Sequence, residues 1–213
     1  MRIAVLGPGG VGGLVAGALQ RAHEQPVRDG KGTWMSAPAG APVSLVAQAS
    51  TVAVVQARGL RVSSVLLGDF TVHPPIAAEL SEDVDCLIVA TKAAGLAAAL
   101  ERVHGHPALV LPLLNGLDHL ALLRERFDPA SVVAGTIRVE ADRPEPGVVV
   151  HTSRFLRVDM ASRHREMDEP MRRLASVLSA AGVPARAYEP PSGELPADGG
   201  EAQVMWSKLV RLN

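Results

Sequence analysis

The chain has 213 residues, enough to bury a substantial core in one domain, or in one domain and part of a second. Apolar residues make up 47% of the sequence and charged residues 20%, which is typical of a soluble globular protein. A net charge of -1 and only six aromatic residues exclude the basic or stacking surface of a nucleic-acid-binding protein. No apolar run is long enough to span a membrane, and the N-terminus reads as a strand instead of a signal peptide. We therefore expect a cytoplasmic protein with neither a nucleic-acid nor a membrane partner.

The first thirteen residues, MRIAVLGPGGVGG, predict a buried strand at 3–6, a glycine-rich turn, and a helix at 14–19. This order is typical of a dinucleotide-binding turn. Gly7 would allow the tight turn, Gly9 would let backbone N–H groups approach a pyrophosphate, and Gly12 would let the helix pack closely on the strand. The alternative is a tight turn without a ligand. The turn positions expected to bind the cofactor are Gly7, Pro8, Gly9, Gly10, Val11 and Gly12.

Apolar runs and helical patterns then alternate along the chain. Residues 24–42, rich in Gly, Pro and polar residues, are interpreted as an inserted surface loop. Strands are predicted at 42–47, 86–90, 108–113 and 131–137, helices at 52–57, 93–103 and 117–127, and a hairpin-like pair at 60–72. Such alternation predicts an α/β fold with a doubly wound, mainly parallel sheet and a ligand crevice at the carboxyl ends of its strands.

The pattern changes between residues 138 and 188. Residues 147–152 and 155–159 alternate like antiparallel strands, and 169–181 is an amphipathic helix with Gly182 at the expected C-cap. We interpret this part as an antiparallel edge extension of the sheet. The expected domains are a dinucleotide-binding domain at 1–190, a linker at 191–202, and the start of a helical domain at 203–213.

Other kinds of catalytic site find little support in the sequence. The single cysteine, Cys86, excludes an intramolecular disulfide and lies in an apolar run, so we expect it to pack in the core. The histidines lack metal-ligand spacing, and no nucleophile-elbow or P-loop pattern is present.

Five short signals follow one another along the chain: the glycine turn, Thr91-Lys92, Asn115-Gly116, the segment from Gly147 to His151, and Trp206-Ser-Lys208-Leu209. Together they resemble the ketopantoate reductase (2-dehydropantoate 2-reductase) family over nearly the whole chain. The resemblance implies an N-terminal Rossmann domain followed by an all-helical domain, with NADPH and a 2-oxo acid bound between them. Most of that helical domain would be missing from this chain.

The resemblance also implies roles for particular residues. Hydride transfer to a ketone leaves negative charge on its oxygen, so a positioned cation that can donate a proton lowers the barrier. Lys208 matches the family's catalytic lysine, which also contacts substrate, and Asn115 matches a catalytic asparagine near the nicotinamide. Asn213 corresponds to a substrate-side asparagine, and Thr91 and Lys92 to cofactor-binding positions.

Each of these residues also has a simpler interpretation. Lys208 fits a solvated position on an amphipathic helix, Asn115 fits a turn-forming Asn-Gly pair, and Lys92 fits a surface charge. His151 matches a family histidine, and we interpret it as structural.

Two departures from the family pattern affect the cofactor and the substrate. Gln48 stands at the cofactor-binding position where the family usually has an arginine for the 2′-phosphate of NADPH, and no acidic residue is present there to bind an NAD ribose. NADPH is the expected cofactor, with NADH left open, and Arg58, Arg28 and Lys31 are candidate substitutes. The part of the family sequence that carries a substrate-holding glutamate and serine is absent.

The leading hypothesis is an NAD(P)H-dependent oxidoreductase that reduces a 2-oxo acid, such as ketopantoate to pantoate in pantothenate biosynthesis. The 213-residue chain alone is expected to be nearly inactive, because one wall of the substrate site is missing. Alternatives are a non-catalytic dinucleotide-binding or interaction module, and a related Rossmann dehydrogenase acting on another hydroxy acid. The expected partner is a small 2-oxo acid, and a homodimer is left open.

Overall fold

The computed structural model describes residues 1–24, 43–189 and 196–209. Its strands in chain order are β1 (Ile3–Leu6), β2 (Ser44–Val46), β3 (Leu60–Ser64), β4 (Phe70–Val72), β5 (Ile76–Ala77), β6 (Cys86–Val89), β7 (Val110–Pro112), β8 (Ala134–Arg138), β9 (Ala141–Glu145), β10 (Val148–His151), β11 (Arg157–Ala161) and β12 (Ala185–Ala187). Its α-helices are α1 (Gly10–Glu24), α2 (Ala49–Arg58), α3 (Leu96–Leu100), α4 (His119–Arg126), α5 (Asp168–Ala180) and α6 (Glu201–Leu209). Short 3₁₀ helices precede α3 and α5, at Ala93–Gly95 and Arg165–Met167.

The central sheet has five parallel strands in the order β5-β2-β1-β6-β7. All four residues of β1 and of β6 are buried, as expected of strands covered on both faces. The chain places β2 on one side of β1 and β6 on the other, so the strand order reverses between β1 and β6. In such sheets the ligand crevice lies at this reversal, beyond the carboxyl ends of the strands. The predicted doubly wound, Rossmann-type fold is confirmed.

The strands outside the central sheet form mixed sheets, with both parallel and antiparallel pairs, where an antiparallel edge extension was predicted. They form two further sheets, a four-stranded sheet ordered β4-β3-β10-β9 and a three-stranded sheet ordered β12-β11-β8. Placing β8 in the parallel sheet was wrong, because β8 pairs antiparallel with β11 and the run before it meets β7 only through a bridge from Val132 to Val110. The first four residues of β8 are buried, so its apolar run reads like that of a parallel strand.

Helix α1 lies between the central and the four-stranded sheet. A Cβ added to Gly13 would lie 2.6 Å from Val149 Cγ2 on β10, and one added to Gly17 would lie 2.7 Å from Val62 Cγ2 on β3. These two glycines therefore let the four-stranded sheet approach α1 closely. As a result the N-terminus of α1 lies beside β9 as well as beside the central sheet.

Several boundaries differ from the sequence predictions. The helix predicted at 93–103 is broken into the 3₁₀ turn and the five-residue α3, and α6 begins at Glu201, two residues earlier than predicted. Residues 25–42 of the predicted insertion, residues 191–195 of the linker and residue 190 before it lie outside the described residues. Of the helices in the described part of the chain, none combines the length and the apolar character that crossing a bilayer requires.

Candidate functional site

The glycine turn begins at Gly7, whose backbone conformation and surroundings both require glycine. Its φ is +88°, in the left-handed region, and its N–H donates a 3.0 Å hydrogen bond to the carbonyl of Val46 at the end of β2. A Cβ at this position would lie 2.7 Å from Thr91 Cγ2, beyond the end of β6. Gly7 therefore brings together the carboxyl ends of β1, β2 and β6.

Gly9 lies on the open side of the turn. A Cβ added there would meet no atom within 4 Å. The carbonyl of Gly9 accepts the N–H of Gly13 at 2.8 Å, which is the first hydrogen bond of α1. The N–H groups of Gly10, Val11 and Gly12 then have no acceptor within the helix, and they share its positive end. Open space next to these donors suits an anion such as a pyrophosphate.

At positions 10 and 12, close packing against neighbouring backbone leaves no room for a side chain, so glycine is required. A Cβ on Gly12 would overlap the carbonyl of Gly7 and lie 3.0 Å from Ala90 Cβ, in agreement with the predicted role in helix-to-strand packing. A Cβ on Gly10 would overlap the carbonyl of Ala141 on β9. The sequence did not predict the close approach of β9 to Gly10, because a local motif cannot indicate a contact between residues as far apart in the chain as Gly10 and Ala141. Pro8 in the same turn is buried.

Thr91 and Lys92 follow β6 and lie beside the glycine turn. The N–H of Ala90 donates to the carbonyl of Leu6 at 2.9 Å, which aligns the two strand ends. Among the residues that the structure describes, the buried Oγ1 of Thr91 finds no hydrogen-bond partner. Lys92 is exposed at the start of the 3₁₀ turn. An unpaired hydroxyl next to Gly7, with a cation at the following residue, fits a dinucleotide phosphate.

Asn115 is exposed after β7, at the same edge of the central sheet. The next residue, Gly116, has a φ of +87°, and the chain bends at the Asn-Gly pair, which is compatible with the simpler interpretation. Asn115 therefore follows the carboxyl end of β7, and its catalytic assignment stays a prediction.

Gln48 is exposed after β2 and starts α2. Its carbonyl accepts the N–H groups of Thr51 (2.9 Å) and Val52 (3.0 Å). Arg58 closes the other end of α2, about 15 Å along the helix from Gln48. The suggestion that Arg58 replaces the missing arginine was therefore wrong, because α2 separates the two ends. The other candidates, Arg28 and Lys31, lie outside the described residues.

Two arginines that sequence reasoning did not select lie at this edge instead. Arg143 Nη1 on β9 is 3.4 Å from Thr51 Oγ1 in the first turn of α2. Arg102, which follows α3, donates from Nη1 to the carbonyl of Ala47 at 3.3 Å. Both contacts join residues far apart in the chain, so no local pattern predicts them.

Lys208 lies in α6, seven residues and two helical turns after Glu201, and Asn213 lies outside the described residues. Glu201 is 5% exposed and receives hydrogen bonds from Arg124 (2.8 Å) and Arg163 (3.0 Å). Burial raises the pKa of Glu201, but the two guanidinium groups outweigh burial and hold that pKa below its ordinary value. This ionised cluster fixes the beginning of α6.

His151 and Cys86 are structural. His151 is buried, with Nδ1 at 2.7 Å from Ser64 Oγ and Nε2 at 3.1 Å from Ser153 Oγ, and burial lowers its pKa. Burial also raises the pKa of the Cys86 thiol far above its ordinary value, so it carries no reactive thiolate. Within residues 1–24, 43–189 and 196–209, no group of three or more metal-ligating side chains comes together.

Comparison with known proteins gives consistent matches. A family model described as ketopantoate reductase PanE/ApbA matches residues 3–162. The 2-dehydropantoate 2-reductase of Halobacterium salinarum is 33% identical over 156 residues, covering 71% of this chain and 46% of that protein. The uncharacterized oxidoreductase YkpB of Bacillus subtilis is 26% identical over 183 residues, covering 84% of this chain and 54% of that protein.

Among solved structures, the 2-dehydropantoate 2-reductase of Porphyromonas gingivalis superposes with a TM-score of 0.76 at 26% identity, over 97% of this chain and 67% of that one. The chain spans about half the length of the curated relatives it matches. Because the family model covers most of the chain and includes the glycine turn and the ends of β2, β6 and β7, the chain belongs to the ketopantoate reductase family.

Proposed function

We propose that this chain binds NADPH at the glycine turn and provides the cofactor half of an enzyme that reduces a 2-oxo acid, such as ketopantoate to pantoate. The observation that carries the proposal is the open space at Gly9, the residue directly before the unbonded N–H groups that begin α1. The cofactor would lie across the strand ends, its pyrophosphate on α1 and its nicotinamide half toward β7.

The residues present fit that cofactor. Gly9 leaves room for the pyrophosphate, the hydroxyl of Thr91 is buried without a partner among the described residues, and Lys92 offers a cation. When bound, the nicotinamide supplies a hydride to the carbonyl carbon of the substrate. Asn115 lies at the end of β7, where its amide would orient the carbonyl group.

Lys208 is proposed to complete the reaction. As negative charge develops on the carbonyl oxygen, the ammonium group of Lys208 would stabilise it and donate the proton that gives the hydroxy acid. The resemblance of the Trp206-Ser-Lys208-Leu209 segment to the family supports this role, as does the anchoring of α6 through Glu201.

The proposal is tested by combining cofactor binding with turnover. NADPH fluorescence is titrated against the 213-residue chain, and NADPH oxidation is followed with ketopantoate and other 2-oxo acids for this chain and for the longest open reading frame that contains it. We expect binding by both and turnover by the longer product alone. In that product, Lys208→Ala should lower kcat by about 10²-fold or more, with cofactor affinity little changed.

The outcomes separate the alternatives. Binding without turnover by the longer product would favour a non-catalytic dinucleotide-binding module. Turnover with a different hydroxy acid pair would favour a related dehydrogenase. A Lys208→Ala variant with normal kcat would refute the catalytic assignment.

A further inference from the structure

Strand β9 crosses the N-terminus of α1. The backbone of Ala141 and Asp142 lies so close to Gly10 that a Cβ on this glycine would overlap it. Arg143 follows directly, and its guanidinium reaches Thr51 in the first turn of α2 at 3.4 Å. The arginine therefore spans from the glycine turn to the residues that follow β2.

This is the position where the adenosine ribose of a dinucleotide lies. In Rossmann-type sites the residue at the end of the second strand reads the ribose 2′ substituent. Here that residue is the exposed, uncharged Gln48, and the guanidinium of Arg143 lies beside Thr51, three residues farther along. The positive charge that Gln48 does not provide is therefore available nearby from Arg143, on β9.

The charges around Arg143 favour an anion. A positive side chain at the N-terminus of a helix is mildly unfavourable, and the ten-residue α2 begins beside this guanidinium. One of its N–H groups faces Thr51 Oγ1, and the exposed guanidinium has other donors. Its acidic neighbour, Asp142, accepts the backbone N–H of Arg143 at 2.7 Å. A phosphate would accept hydrogen bonds from the guanidinium, and its negative charge would be favourable at the N-terminus of α2.

Resting on the proposed function, we propose that Arg143 binds the 2′-phosphate of NADPH and thereby sets the cofactor preference of this chain. Arg102 is the comparison residue, since it lies at the same strand end but donates to the carbonyl of Ala47. Arg173, exposed on α5 away from this edge, is the matched control for the loss of one positive charge.

The experiment uses calorimetric titration of two probes that differ only by the 2′-phosphate, adenosine 2′,5′-bisphosphate and adenosine 5′-monophosphate. They are titrated against the 213-residue chain and its Arg143→Ala, Arg102→Ala and Arg173→Ala variants. We expect the unmodified chain to bind the bisphosphate about tenfold or more tightly than the monophosphate, as a charge-assisted hydrogen bond allows. Arg143→Ala should bind the two probes with nearly equal affinity, its affinity for the monophosphate being unchanged. Arg102→Ala and Arg173→Ala should still prefer the bisphosphate.

Other results separate this inference from the proposed function. If the unmodified chain binds neither probe nor NADPH, the proposed function fails. If it binds both probes equally, or if Arg143→Ala keeps the ratio, the inference is overturned and the proposed function stands. The inference is also overturned if Arg102→Ala loses the ratio of bisphosphate to monophosphate affinity while Arg143→Ala keeps it. Unchanged monophosphate affinity shows that a variant is folded.

Discussion

The guanidinium of Arg124 on α4 donates a 2.8 Å hydrogen bond to the carboxylate of Glu201, the first residue of α6. Arg163, which follows β11, donates to the other carboxylate oxygen at 3.0 Å. Glu201 is thereby satisfied inside the protein, and the helix that carries Lys208 begins at a fixed place against β8 and β11. The helix that carries the proposed catalytic lysine is therefore joined to α4 and to the segment after β11 by a partly buried ionic cluster.

Replacing Glu201 by glutamine should destabilise the protein. Glu201→Gln leaves two guanidinium groups without their counter-charge, and we expect a loss of about 1.5–3 kcal/mol in the free energy of unfolding. Urea unfolding measures the loss. Glu169→Gln on the surface of α5, which removes an exposed pair with Arg172, is the control and should cost less than about 1 kcal/mol. Equal losses in the two variants would show that the Glu201 cluster does not anchor α6.

Asp159 should make stability depend on pH in the acid range. Burial raises the pKa of Asp159, but hydrogen bonds from Arg138, Arg157 and Arg186 outweigh it and hold that pKa below its ordinary value. A carboxyl with a lowered pKa in the folded state contributes stability above its unfolded pKa, near 4, and loses this contribution as pH falls through its folded pKa.

The matching experiment compares urea midpoints of the unmodified chain and Asp159→Asn between about pH 7 and about pH 3. The variant should be less stable at neutral pH, and the difference should shrink on acidification. A difference that stays constant, or grows as pH falls, would contradict this sign.

The local parts of the site could be predicted from the sequence, whereas its long-range contacts could not. Gly7 and Gly12 lie where the turn motif places them, because strand, turn and helix are continuous in the chain. β8 was placed in the wrong sheet because its buried apolar run lacks the alternation that marks a one-sided strand. The contact of Arg143 with Thr51 depends on β9 pairing with β10 and lying over α1, which short motifs do not encode.

Restoring the family's arginine should strengthen the NADPH preference. Gln48→Arg places a second guanidinium at the exposed end of β2, where it can form a bidentate contact with the 2′-phosphate. We expect the affinity for NADPH over NADH to rise by about tenfold, measured by competition titration of the two cofactors. Gln56→Arg, about two turns along α2 from Gln48, adds the same charge and should leave the preference unchanged. An equal effect of both would indicate general electrostatic attraction instead of a 2′-phosphate contact.

Gly7→Ala should destabilise the fold before any ligand is added. The substituted residue would be strained at a φ of +88°, and its Cβ would collide with Thr91. We expect a loss of about 1–3 kcal/mol in unfolding free energy, measured by urea denaturation. Normal stability of Gly7→Ala would mean that the turn adopts another conformation.

The most direct measurement of the dinucleotide site is an NADPH fluorescence titration of the unmodified chain and Gly9→Leu, with thermal unfolding of both as a control for folding. Gly9 has no positive φ and open space around its Cβ position, so the leucine should leave the unfolding midpoint nearly unchanged. It would, however, fill the open space at the start of α1, where the pyrophosphate is proposed to lie. We expect the unmodified chain to bind NADPH. In Gly9→Leu the NADPH affinity should fall by about tenfold or more, the order expected for the loss of one contact to the bound anion. Equal NADPH affinity of the two proteins would contradict a dinucleotide site at this turn.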